Sequence, residues 1–311
     1  MTALAGPVRP EAGESDNLGR MIILNADDYA MTEGVSRAIG ELAAARRLSA
    51  TSVLATSPNW PATAPRLLVH RPHLSIGLHL DLTLGPPLGP MPRLAPAGAF
   101  PGLSALLSRA ALGLLEPAEI RAEIERQCDR FERGVGAPPD HVDGHQHVHV
   151  LPGVRGVLLE VMARRYGASR PLLRILSDPI SALSAPLPVR LKAVGLGMMA
   201  IGFGSAARRH GLPVNDTFGG VSNFDLDEPY AGELERALQR PGRRHLVMCH
   251  PGHPDADLAR IDTIVARRRM EYDVLMRDPS LPERIWRPSR RPDGPPIAWP
   301  ELQDASDGAR K

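Results

Sequence analysis

The feature that most constrains the fold of this chain is an alternation of short apolar runs with helical segments. MIILNADD (21–28) is apolar until its C-terminal end, where it turns polar. That is the pattern of a buried parallel strand delivering side chains to a site. Thr32 then precedes EGVSRAIGELAAARR, whose Val35, Ile39 and Leu42 have helical spacing behind an N-cap residue. LSATSVLAT (48–56) reads as the next strand, WPATAPRLLVHR as a helix, and LSIGLHLDLTL (74–84) as an alternating strand. PAEIRAEIERQCDRFERG (117–134) is an amphipathic helix with Pro117 near its start and Ile120, Ile124, Cys128 and Phe131 on one face. HVDGHQHVHV (141–150) reads as a strand entering the helix PGVRGVLLEVMARRYG, and LLRIL (172–176) and HLVMCH (245–250) as further strands. Such alternation implies parallel βαβ units. A chain of 311 residues, 43% of them hydrophobic, suits a single α/β barrel. Segment 178–215 fits the alternation least and reads as an excursion from the sheet. Residues 1–20 and 287–311 read as loose tails, the second with a docking segment around residues 297–299, so the expected folded domain is 21–286.

A net charge of +2, with no Lys/Arg block interleaved with aromatics, argues against a nucleic-acid partner. Cys128 and Cys249 form no CxxC and read as two buried thiols of a reducing compartment. The N-terminus has no apolar stretch of signal-peptide length. AVGLGMMAIGFGSAA (193–207) is too short and Gly-rich to span a bilayer; buried packing is its expected role, with contact to a lipid part of a substrate the alternative. These readings give a soluble, cytoplasmic protein without stable membrane insertion, for which a homodimer is the common default.

Three strand ends carry unusual residues. Asp27 and Asp28 close the first, His79 and Asp81 share a face of another, and four of the eleven histidines fall within 141–150. If that stretch is one strand, His141, Asp143, His145, His147 and His149 project the same way, about 7 Å apart from one to the next. One metal ion could then reach one or two of these histidines. His250 ends an apolar run before Pro-Gly, at the strand end where α/β barrels put their chemistry. Imidazoles beside carboxylates suit zinc or a harder divalent ion.

The runs ILNADDYAMTEGVSRAI, GLHLDLT, HVDGHQHVH and MCHPG, in that order, resemble the YdjC-type carbohydrate deacetylases. That family includes chitooligosaccharide deacetylases and a hopanoid-associated deacetylase. The match runs over residues 21–286. The resemblance implies a TIM-like, distorted (β/α) barrel in a single domain. It also implies metal-dependent removal of acetyl from an N-acetylated sugar with one divalent ion, Mg2+ or Zn2+. By resemblance, Asp28 and His79 are metal ligands, Asp27 is the general base and His250 the general acid. His145 is the third ligand by the same resemblance, with His147 the runner-up. Asp143 and Asp81 are then partners that orient ligand imidazoles, and His147 and His149 are support or substrate contacts. Arg174 either orients a carboxylate such as Asp27 or makes an ordinary barrel ion pair, and Asp216 lines the substrate cleft. Two departures stand out. Gln146 occupies a position where many relatives have histidine, and Tyr29-Ala30 replaces a frequent Phe-Gly, which changes the turn beside the sugar pocket.

The chemistry is consistent with these residue types. Amide hydrolysis needs an activated water, a hold on the oxyanion and a proton for the departing amine. Other classes fit less well. A two-metal phosphatase needs more ligands on further strands. A glycoside hydrolase needs two carboxylates flanking the scissile bond, which neighbouring Asp27 and Asp28 cannot do. A non-catalytic metal- or sugar-binding barrel has no use for His250 as an acid. Only 4% of the residues are aromatic, which favours a small substrate over a long polysaccharide. Chitobiose-like oligosaccharides, an N-acetylglucosaminyl lipid and another acetylated glycan all stay open.

Overall fold

A computed structural model describes residues 21–167, 169–176, 186–239, 244–290, 297 and 299. Residues 1–20 lie outside the described residues. Seven strands form the sheet: β1 (Met21–Tyr29), β2 (Ala50–Val53), β3 (Ser75–Leu80), β4 (His141–Gly144), β5 (Leu172–Leu173), β6 (Thr217–Gly219) and β7 (Arg244–Cys249). Every pairing is parallel, in the order β5-β4-β3-β2-β1-β7-β6. The two edges meet where Leu173 bridges in parallel to Val214, just before β6. Asn215 stitches that seam: its Oδ1 accepts the Ile175 N–H at 2.7 Å, and its Nδ2 donates to the Ile175 carbonyl at 3.0 Å. The result is the expected TIM-like, distorted barrel, in which all strands end at the same rim.

Local chemistry explains the outer helices. The Thr32 hydroxyl accepts the Val35 N–H at 3.3 Å and caps the helix Glu33–Ala44. The helix Pro117–Val135 begins on proline and ends at Gly136, whose φ of 74° is the left-handed stop that favours glycine. Its Ile120, Ile124, Cys128 and Phe131 are buried. Phe131 stacks on Trp60 at 6.2 Å, and Trp60 meets Tyr29 edge-on at 6.4 Å, so this helix is tied to the central strand. Both cysteines are free and buried.

Two expectations need correcting. HVDGHQHVHV is not one strand. β4 stops at Gly144, and residues 145–150 form a kinked helical turn in which Gln146 and His147 have φ of 51° and 62°. Left-handed residues break the two-residue period, so His145, His147 and His149 do not share a face with His141. Nor is the run 193–207 buried. It falls on the helices Leu187–Met199 and Phe203–Arg209, where only Val189, Phe203 and Ala207 are buried.

At the barrel's N-terminal end, Trp299 packs down. The Trp299 indole N–H donates to the Asp140 carbonyl at 2.6 Å, and its ring lies against Trp286 at 5.2 Å.

Candidate metal centre

The site begins with an irregularity in β1. Ala26 pairs with Thr51 of β2, yet Tyr29 pairs with Val53, so β1 carries one extra residue between them. In a regular strand Asp27 and Asp28 would point to opposite faces. The bulge, with Asp28 at φ 71°, lets both carboxylates turn toward the same rim. Ala30, at φ 74°, also sits in the left-handed region, where a glycine would be at ease. With Gln146, His147 and Phe224, whose ring meets His250 at 5.3 Å, five non-glycine residues at the rim hold this strained conformation.

Asp28 Oδ1 lies 3.2 Å from His79 Nε2 and 2.9 Å from His145 Nδ1. These three side chains bring their ligand atoms within 4.8 Å of one another and could hold a metal ion. Parallel register supplies the support. His79 of β3 pairs with Asp143 of β4, and His79 Nδ1 is 2.6 Å from Asp143 Oδ1. Asp143 thus accepts a hydrogen bond from Nδ1–H, and the neutral ring's Nε2 lone pair is left facing Asp28 Oδ1. Two lone pairs facing each other repel unless a proton or a cation lies between them. A cation among Asp28, His79 and His145 relieves the contact, so the donor set fits a divalent ion.

Electrostatics agree. Burial alone would raise the Asp28 carboxyl, but Arg268, His145 and His79 hold it well below the usual carboxylate range. Burial works against a charge on His79, yet Asp143, Asp28 and Asp27 push it up to about 10. The ring therefore carries the proton where no cation does. A second grouping, Asp27, His79 and Asp143, is also close enough for a metal. There the Arg174 guanidinium already pairs with both carboxylates.

Arg174 follows β5 and is fully buried. It grips Asp27 with two bonds, Nη1 to Oδ2 at 2.7 Å and Nη2 to Oδ1 at 2.6 Å. Asn25 donates to the same Asp27 Oδ1 at 2.6 Å. β1 and β7 run in register through Ala26 and Cys249, so Asp27 and His250 follow side by side. His250 Nε2 lies 3.9 Å from Asp27 Oδ2. The His145 and His250 side chains are 13% and 14% exposed, against 2% for Asp28 and His79, so solvent reaches the site at these two rings. Burial brings His250 down to about 4, against the pull of Asp27 and Asp28. A groove of about 420 Å3 opens nearby, bordered by Met31, Leu54, Ser57, Asn59 and Leu84. Met31 joins it to the centre, since its sulfur touches Arg268 at 3.5 Å.

Among the residues singled out from sequence, the fold brings Asp27, Asp28, His79, Asp143, His145, Arg174 and His250 to one rim. His147 is beside them, its ring against Phe218 at 6.0 Å and its buried Nδ1 without a partner. His149 is fully buried, with Nε2 3.0 Å from the Arg174 carbonyl, so it braces Arg174 and is out of a substrate's reach. Two placements are corrections. Asp81 touches no imidazole; it accepts from the Thr56 hydroxyl and the Thr83 and Leu84 N–H groups, because the chain turns immediately after β3. Asp216 is at the opposite end of the barrel, accepting the N–H of Arg244 at the start of β7, and lines no cleft at the active rim. Two functional neighbours escaped the sequence reading. Arg268, on the helix Val265–Arg277, donates to Asp28 Oδ2 at 2.7 Å and pairs with Asp262. Glu271, on the same helix, accepts the His250 N–H at 2.5 Å, and burial raises its carboxyl to about 7. A regular apolar face on that helix would have flagged it, but three of its four buried positions are charged: Arg267, Arg268 and Glu271.

A family model described as YdjC-like protein matches residues 21–285. The chain is 31% identical over 245 residues to the Carbohydrate deacetylase of Mus musculus, covering 75% of this chain and 78% of that protein. It is 34% identical over 268 residues to the Chitooligosaccharide deacetylase of Proteus mirabilis (strain HI4320), covering 83% of this chain and 91% of that protein. A crystal structure of an Enterococcus faecalis V583 protein, named for cellobiose-phosphate cleavage, matches with a TM-score of 0.62 at 23% identity. It covers 86% of this chain and 94% of that one, a likeness of fold. On the strength of the family match and of these relatives, the chain belongs to the YdjC-like protein family.

Proposed function

We propose that this chain is a metal-dependent carbohydrate deacetylase that hydrolyses the acetyl group from an N-acetylated sugar. The observation that carries the reading is Asp28 Oδ1 facing two imidazole nitrogens, 2.9 and 3.2 Å away, with Asp27 and His250 beside them. Relatives named carbohydrate and chitooligosaccharide deacetylases support the substrate class. Asp28, His79 and His145 would hold one divalent cation. One carboxylate and two imidazoles form the donor set of a catalytic zinc, with Mg2+ the other candidate. When bound, the ion supplies a Lewis acid that polarises the acetyl carbonyl and lowers the pKa of water.

The remaining work belongs to side chains. Arg174 fixes the plane of the Asp27 carboxylate, which takes the proton of the attacking water. His250 gives a proton to the departing amine, a poor leaving group until protonated. With its ring at about 4, His250 rests neutral at pH 7, so its acid form is made within the cycle. The proton crosses the 3.9 Å gap from Asp27. His147, next to His250 and Phe218, contacts the substrate, and the groove past Met31 takes the sugar ring. Catalysis resides in residues 21–286, and the free thiols of Cys128 and Cys249 support a cytoplasmic location.

The test is acetate release from N,N′-diacetylchitobiose by purified protein, with chelator and then with Zn2+ or Mg2+ restored. Chelator-sensitive release that returns with metal is the expected result. No release from this or other N-acetylated sugars, together with no bound metal, would overturn the reading.

A further inference from the structure

The helix Leu187–Met199 carries an apolar stripe that no protein segment covers among the described residues. Leu187, Leu191, Val194 and Met198 follow one another at helical spacing along one line, and Ile201 continues it past the helix end. All five are between 55% and 70% exposed. Residues Leu187–Arg209 form a run long and apolar enough to cross a membrane by composition, yet only 17% of an apolar 18-residue window within it is buried in the protein. Scattered exposed leucines are ordinary; five in one line are a docking face.

Charge identifies the partner. From 186 to 215 the sequence contains no Asp or Glu, whereas Arg190, Arg208 and Arg209 are exposed on these helices. None of the three takes part in an ion pair among the described residues. An apolar line flanked by unpaired cations is the composition of a helix lying in a lipid interface. A second copy of this chain fits less well. A twofold contact would set this cationic face against itself. The opposite side of the same helix faces inward. Val189, Ala193 and Leu196 line a cavity together with Phe218, whose ring meets His147 at 6.0 Å and Arg174 at 5.8 Å. The stripe is thus about one helix thickness from the rim chemistry.

We infer that helices Leu187–Met199 and Phe203–Arg209 form a peripheral docking face for an anionic lipid surface. The face lies on the surface without spanning it. The inference rests on this helix surface alone, so its failure leaves the deacetylase reading untouched.

Co-sedimentation of the full chain with vesicles of phosphatidylcholine, with and without phosphatidylglycerol, tests it. The wild-type chain should pellet with the anionic vesicles, and high salt should release it. Replacing Arg190, Arg208 and Arg209 with serine should weaken partitioning about fivefold for each arginine. A Leu191→Glu/Met198→Glu/Ile201→Glu variant should lose binding with its melting temperature unchanged. The salt dependence of the wild-type chain needs no variant and stands if the triple variant fails to fold. Absence of binding, or equal binding to both vesicle types, would overturn the inference. So would wild-type dimers in sedimentation velocity that the glutamate variant dissociates, which would give the face to a second copy.

Discussion

Asp140 and Asp28 are both buried carboxylates paired with an arginine, at opposite ends of the same barrel. Asp140, just before β4, is saturated by donors. Its Oδ2 accepts the Ile76 N–H at 2.8 Å, and its Oδ1 accepts the Ile297 N–H at 2.8 Å and pairs with Arg290. Asp28, at the other rim, is satisfied on one oxygen by Arg268, while the other faces two ring nitrogens whose protons are optional. A carboxylate closed by fixed N–H groups holds structure together. One that faces exchangeable imidazole nitrogens can hold a cation. The polar residues at both ends are equally buried, so burial does not separate them; the chemistry of the partners does.

Substitutions should split these two ends. Asp28→Asn is expected to lose stoichiometric zinc and to lower acetate release by on the order of 1000-fold or more. Asp140→Asn should leave metal content and rate near wild type while lowering stability by about 3 kcal/mol, read from denaturant melts. Equal loss of metal in both variants would erase the distinction. Arg174→Met removes the guanidinium shared by Asp27 and Asp143, leaving two buried carboxylates with only Asn25 and His79 as their near partners. It should cost about 3–5 kcal/mol as well as rate, whereas Arg174→Lys should recover part of the stability and little of the rate.

Support for the ligands comes next in size. Asp143→Asn should weaken metal binding about 10–100-fold in competition with a chelating dye, with the fold intact. The pH dependence follows from His79. Its ring is raised from 6.5 to about 10, so in chelator its contribution to stability is fully present below about pH 6.5 and is lost as pH rises through about 10. Metal must displace that proton. Binding near pH 8 should therefore release about one proton, measurable by calorimetry in buffers of different ionisation enthalpy. Binding without proton release would contradict a His79 ring that is protonated before the metal arrives. The smallest effect belongs to Ala30→Gly, which removes left-handed strain at φ 74° but frees the unfolded chain, for a net gain of at most about 1 kcal/mol.

Much of this was legible in the residues. β1, β3 and β7 announce themselves as apolar runs turning polar at their ends, and their parallel order puts those ends on one rim. The Asp143 support of His79 follows from β3–β4 register once the strands are placed. What alternation could not show is where alternation stops. Strand parity separates Asp27 from Asp28 and aligns His145 with His149; a bulge reverses the first and two left-handed residues undo the second. Arg268 reaches Asp28 from 240 positions away, a contact that only the closed barrel makes. The helix Leu187–Met199 shows a further limit, since an apolar composition says that a face wants cover without saying whether the protein provides it.

The central claim is that one cation is shared by Asp28, His79 and His145. Anomalous diffraction from crystals soaked in Zn2+ tests it most directly. The account predicts a single strong peak per chain about 2.0–2.2 Å from Asp28 Oδ1, His79 Nε2 and His145 Nδ1, absent in His145→Ala crystals and retained in His149→Ala crystals. A peak between Asp27 and Asp143, or one that survives His145→Ala unchanged in an active protein, would contradict it.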